Sequence, residues 1–213
     1  MSDALSSKNL VVFGLRDILF GEYNYNSETG VITYKNQTVL GRGIQAGFDL
    51  RFAEARLYSS GALSRFRKKC TGGSISLAVE ALSLAVQASI FQAETSEVDI
   101  GTQQSPKKIT GIGYSENTRG RYVGVGTYMP ADDASDSDAY VCIFARKALF
   151  GPPSMQYRTE EDNIQWSTPT TTGEFIAPDH LTGTKAPLMV EIAEAYSDAD
   201  ALAWCKKQLQ MTA

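Results

Sequence analysis

His180 is the chain's one histidine. A serine or cysteine nucleophile that needs an imidazole base would have to use it. No Gly-x-Ser-x-Gly elbow supplies that nucleophile. His180 stands in a stretch punctuated by Pro178 and Gly183, which reads as a surface loop. The pairs Gly111/Gly113 and Gly124/Gly126 do not continue into a dinucleotide fingerprint, and no phosphate loop with Gly-Lys-Ser/Thr occurs. Asp132, Asp133, Asp136 and Asp138 offer hard oxygens to Ca²⁺, but the spacing is not that of a calcium loop and the distal glutamate is missing. They read as a solvated loop or a contact for a partner subunit. Arg65-Phe66-Arg67-Lys68-Lys69 could touch phosphates or stack on bases. One short patch in an acidic chain reads better as a solvated loop or a protein contact. Cys70, Cys142 and Cys205 are odd in number and far apart, which fits free thiols and neither a disulfide framework nor a zinc site. No catalytic, cofactor or metal site is expected.

With 213 residues, 43% hydrophobic and 21% charged, the chain is long enough for one well-packed domain spanning residues 1–213. The net charge of −4 argues against a duplex-binding module, which needs cations to neutralise phosphates. No run reaches the ~18 apolar residues of a membrane span. The apolar run 10–20 is broken by Arg16 and Asp17 and lacks a small-residue cleavage site, so synthesis in the cytoplasm is expected.

These few reactive groups sit among strand signals. In 45–52, Ala46, Phe48, Leu50 and Phe52 alternate with Gln45, Gly47, Asp49 and Arg51, a period that gives one apolar and one polar face. In 74–81, Ile75, Leu77 and Val79 alternate with Ser74, Ser76 and Ala78. Strands are also expected over 31–35, 121–128 and 140–150, and more weakly over 164–168 and 187–196. Gly124 and Gly126 share one face of their strand, which implies close backbone approach there. Segments 23–30, 59–73 and 131–139 are expected as loops. Ser83 caps a helix from 84 to about 93 with Leu84, Ala88 and Phe91 in line. Ser197 and Asp200 form a capping box for a helix from 198 to about 210, docked through Leu202, Cys205 and Leu209. The sum is a mainly β fold, a β-sandwich or barrel with one or two flanking α-helices.

The order of these features resembles the phi13-type major tail protein (tail tube protein) family of long-tailed siphophages. The resemblance runs through Lys8-Asn9-Leu10-Val11-Val12-Phe13, Asp17 and Tyr23, the Leu40-Gly41-Arg42-Gly43-Ile44 turn, and Leu57-Tyr58. It continues through the strand and helix after Ser74, the Gly120 hairpin, Leu149-Phe150, Gln165 to Gly173, and Ser197 to Trp204. It departs after Leu57-Tyr58, where Ser59 and Ser60 stand in place of a small acidic residue.

The resemblance implies a tail-tube fold with an N-terminal arm and C-terminal helix. Six-fold rings would share one inner β-barrel and stack into a tube around a tape-measure protein. Tail terminator and distal tail proteins would be further partners, and viral DNA would pass through without specific binding. The protein would be made in the host cytoplasm and reside in the virion tail. On this reading Gln45, Asp49 and Arg51 face the lumen. Arg65, Arg67, Lys68 and Lys69 meet Asp132, Asp133, Asp136 and Asp138 of a neighbouring subunit. The alternatives are the inner tube of a contractile injection system, or a capsid decoration or carbohydrate-binding module.

Overall fold

The computed structural model describes residues 10–60, 62–102, 105, 107–132, 138–154 and 167–211. The elements run β1 (Val11–Val12), β2 (Asp17–Tyr25), β3 (Ile32–Ser59), β4 (Ala62–Val79), α1 (Leu84–Phe91), β5 (Glu94–Asp99), β6 (Lys108–Gly113), β7 (Tyr122–Asp132), β8 (Asp138–Phe150), β9 (Thr170–Phe175), β10 (Val190–Ala195) and α2 (Asp198–Gln208). Six strands close a circuit of antiparallel pairings, β7-β2-β3-β4-β9-β8 and back to β7. From Leu50 on β3 the pairing passes through Gly73, Phe175, Ala148, Val123 and Glu22, and returns to β3 at Lys35. That return to an earlier point of the same strand is the shear of a closed barrel with tilted strands. The chain is therefore mainly β, with a barrel and flanking helices.

Alternation decides the two cores. Ile18, Phe20, Ile75, Leu77, Val123, Val125 and Phe175 point into the barrel, and α1 adds Val86, Ile90 and Phe91. The opposite face of the same strands presents Leu19, Tyr34, Tyr128, Cys142 and Phe144, on which α2 lays Ala201, Cys205 and Leu209. Gly124 belongs to this outer face, where a Cβ would run into the Tyr34 ring. The close approach expected at this glycine is thus present.

Both helices start at the expected caps. Val86 N donates to Ser83 Oγ at 3.3 Å, and Asp200 N donates to Ser197 Oγ at 3.1 Å. The buried face of α1 differs from the expected one. Leu84 is 51% exposed, and Gln87 is buried in its stead. Gln87 Nε2 donates to Leu82 O (3.0 Å) and its Oε1 accepts from Tyr114 OH (3.1 Å), so its burial leaves no polar atom unpaired. The helix is apolar on nearly every side, so periodicity alone could not orient it. On α2, Cys205 and Leu209 are buried as expected, while Leu202 is half-buried and Ala201 takes the core position.

Three expected loops need correction. Tyr23 to Tyr25 continue β2. The segment 59–73 is mostly strand, part of β4. Asp132 ends β7 and Asp138 begins β8, paired with each other in register, so only the residues between them join the strands. Of the weak strand 164–168, residues 164–166 lie outside the described residues, and Ser167 and Thr168 are not in a strand. Val190–Ala195 realises the core of the other weak strand.

Candidate assembly surface

β3 and β4 are longer than the barrel needs. Their inner halves are barrel staves, with Gln45↔Ala78, Gly47↔Ser76 and Asp49↔Ser74 in register. β9 follows β4 only from Ala78 to Gly73. Gly72 and Gly73 mark the departure point. Gly72 has φ +135°, and a Cβ at either glycine would collide with Phe175. Beyond them the two strands pair only with each other, out to Ser59↔Ala62. Ser60 takes a left-handed φ of 54° in the two-residue turn that closes this arm. Register shifts at Arg51/Phe52 and Leu57/Tyr58 insert Thr71 and Ser64 as bulges, which raise the ribbon's twist.

Pairing sorts the arm's side chains onto two faces. One face continues the barrel interior and carries Leu50, Phe52, Glu54, Arg56 and Tyr58 opposite Gly73, Cys70, Lys68, Phe66 and Leu63. Arg56 and Lys68 both stand over the Phe66 ring, at 5.4 and 5.5 Å. Lys68 Nζ lies 2.6 Å from Glu54 Oε1 and holds that carboxyl below its ordinary pKa. The other face continues the barrel exterior. It carries Gln45, Gly47, Asp49, Arg51, Ala53, Ala55 and Leu57 opposite Ala78, Ser76, Ser74, Gly72, Lys69, Arg67 and Arg65. Arg51 pairs with Glu174 at 2.8 Å. Arg65, Arg67 and Lys69 form no ion pair among the described residues.

The structure thus unites Gln45, Asp49 and Arg51 with Arg65, Arg67 and Lys69 on one face. It moves Lys68 to the opposite face, engaged with its own chain. Of the acidic group, Asp132 is exposed at the end of β7, Asp138 is fixed through its backbone pairing, and Asp133 and Asp136 lie outside the described residues. Residues 51–72 contain six cations and one carboxylate, a net +5, which leaves −9 on the rest of a chain of net −4.

Sequence reasoning missed the arm because the apolar phase switches face after Phe52, where Ala53, Ala55 and Leu57 alternate with Glu54 and Arg56, and because the cations of 65–69 occupy both faces. The turn-forming Ser60-Gly61 dipeptide between the two runs was the available signal. It also missed two open edges. From Ile44 to Ser59, β3 has no partner on the side away from β4 among the described residues, and β4 has none on its outer side from Ala62 to Gly72. Such edges are templates for pairing with another chain.

His180 is exposed after Asp179. Among the described residues, no three His, Cys, Asp or Glu side chains converge as metal ligands. No helix of the described residues is long and apolar enough to cross a membrane. The chain matches no family model and no curated protein.

Proposed function

We propose that this chain is a self-assembling structural subunit of a bacteriophage tail tube. In that role hexameric rings stack into a hollow tube that houses a tape-measure protein and passes DNA. The observation that carries this reading is the arm: a two-stranded ribbon of net +5, exposed from Arg51 to Ser60 and from Ala62 to Lys69, on a body of net −9. An isolated two-stranded ribbon is marginal in water at best, so one this long gains stability from being covered. A basic projection on an acidic body favours head-to-tail contact between copies, a heterologous geometry that closes into rings or propagates as stacks. The open edges of β3 and β4 supply backbone groups that a neighbouring sheet would satisfy. On this reading the face bearing Gln45, Asp49 and Arg51 lines the lumen. Tail terminator and distal tail proteins would cap the stack.

The test is assembly of the purified chain across a concentration series at low and high salt, followed by light scattering and negative-stain microscopy. Rings or hollow tubes whose formation weakens with salt support the reading. Monomers at every concentration and salt refute it.

A further inference from the structure

The seam between α2 and the sheet holds two thiols at one contact. Cys142 stands on β8 and Cys205 on α2, and both are fully buried in the same apolar cluster. Each side chain reaches into the other's surroundings. Cys142 Sγ lies 3.9 Å from Ala201 O. In an α-helix that carbonyl accepts the backbone N–H of Cys205, one turn further on. Cys205 Sγ lies 3.7 Å from Thr127 O. That carbonyl leads into Tyr128, the register partner of Cys142 on β7. At Gly126 a Cβ would lie 3.5 Å from Cys205 Cβ and 3.6 Å from its Sγ, so helix and strand meet at contact distance here. The thiols also act on one another. Interaction with Cys205 lowers the Cys142 thiol below its ordinary range, and the same interaction, together with burial, raises that of Cys205.

Packing alone does not call for this pair. A buried thiol packs as a small hydrophobe, and Ala201 fills the preceding turn of the same helix face with a methyl group. Sulfur on both sides of one contact adds a reaction that alanine lacks. We infer that Cys142 and Cys205 form an oxidation site, at which a small-molecule disulfide joins them into a cystine that fastens α2 to β8. The inference goes beyond the tube reading and does not rest on it.

Both sulfurs are covered while α2 is docked, so α2 lifts first, a local opening of a terminal element. Cys142, the more acidic of the two, loses its proton and attacks one sulfur of the reagent. The reagent's S–S bond breaks, and one half leaves with the electron pair as a thiolate that takes up a proton. Cys205 then gives up its proton, attacks the Cys142 sulfur and expels the other half in the same way. The protein has lost two protons and two electrons, and the reagent has become two thiols. The thiol-rich cytoplasm drives this exchange backwards and an oxidising medium drives it forwards. The link closes a loop of about 60 residues and so removes chain entropy from the unfolded state. Cys70 stands apart on β4, half-buried, with its Sγ 3.8 Å from Gly72 O.

The test equilibrates the unmodified chain with oxidised glutathione, without denaturant and again at a denaturant concentration below the unfolding transition. Remaining thiols are alkylated and the peptides are mapped by mass spectrometry. A cystine joining Cys142 to Cys205 within one chain is expected, with Cys70 alkylated or glutathionylated. The oxidised monomer should melt about 10 °C higher, and dithiothreitol should reverse the gain. Alkylation of both Cys142 and Cys205 under both conditions overturns the inference, as does a link of either one to Cys70 in their stead. A cystine that leaves Tm unchanged overturns the fastening of α2. Leu209→Ala removes an anchor of α2 and should speed oxidation of the pair by about tenfold or more while the rate at Cys70 stays the same. An unchanged rate at the pair overturns the opening step.

Discussion

Replacing Gly124 with alanine probes the packing that joins sheet and C-terminal helix. A methyl group at this position overlaps the Tyr34 ring. Tyr34 is 4% exposed, donates its hydroxyl to Arg146 O at 2.9 Å, and meets Tyr23 and Phe144 edge-on at 6.1 and 5.8 Å. Displacing the ring forfeits a hydrogen bond of about 1 kcal/mol and aromatic contacts of roughly 0.5–1.5 kcal/mol each. Residual overpacking adds roughly 1 kcal/mol or more, and the lower chain entropy of alanine returns roughly 0.5–1 kcal/mol. The net loss is about 3 kcal/mol, or about 6–12 °C in Tm for a chain of this size. Denaturant titration of the monomer measures it. Gly126→Ala is the control. Its methyl group would lie 3.3 Å from Phe144 and 3.5 Å from Cys205, and should cost under about 1 kcal/mol. In a Tyr34→Ala background the ring is gone, so Gly124→Ala should become nearly neutral, a coupling of about 3 kcal/mol. Equal losses in both backgrounds would refute the ring-collision mechanism.

Leu209→Ala should destabilise the monomer by about 2–5 kcal/mol and half-buried Leu202→Ala by clearly less; a larger loss at Leu202 in thermal melts would mean that α2 docks by a different face. The Lys147 ammonium, 2.5 Å from Asp179, holds that carboxyl below its ordinary 3.8, so the pair stabilises the fold above that pH and the gain is lost as pH falls through the depressed value. Asp179→Asn should therefore cost about 1 kcal/mol at neutral pH, discounted because the carboxylate is partly exposed, and the gap to the parent should close in acid; a gap constant down to acid pH contradicts this. Asp49→Cys or Arg51→Cys should react with a bulky thiol reagent quickly in monomers and slowly in tubes if this face lines the lumen, and equal rates would place it elsewhere. Charge reversal of Arg65, Arg67 and Lys69 should slow association and flatten its salt dependence with little effect on dissociation, as stopped-flow scattering would report.

What the sequence determined by itself is what period and local chemistry control. Alternation in 45–52 and 74–81 placed Phe48 and Ile75 inward and Asp49 and Ser74 outward, because one wet and one dry face leaves a strand no choice of register. Ser83 and Ser197 determined both helix starts, because a hydroxyl that satisfies a free backbone N–H acts within three residues. Gly124 was legible as a close approach, although the residue that approaches it, Tyr34, was not. Only the tertiary structure decided which face α1 buries, because its residues are apolar on nearly all sides and the partners of Gln87 are distant in sequence. Only it showed 59–73 as strand, because cations on both faces blur the period over 65–69 and the ribbon is held by β3–β4 pairing between residues up to 23 positions apart.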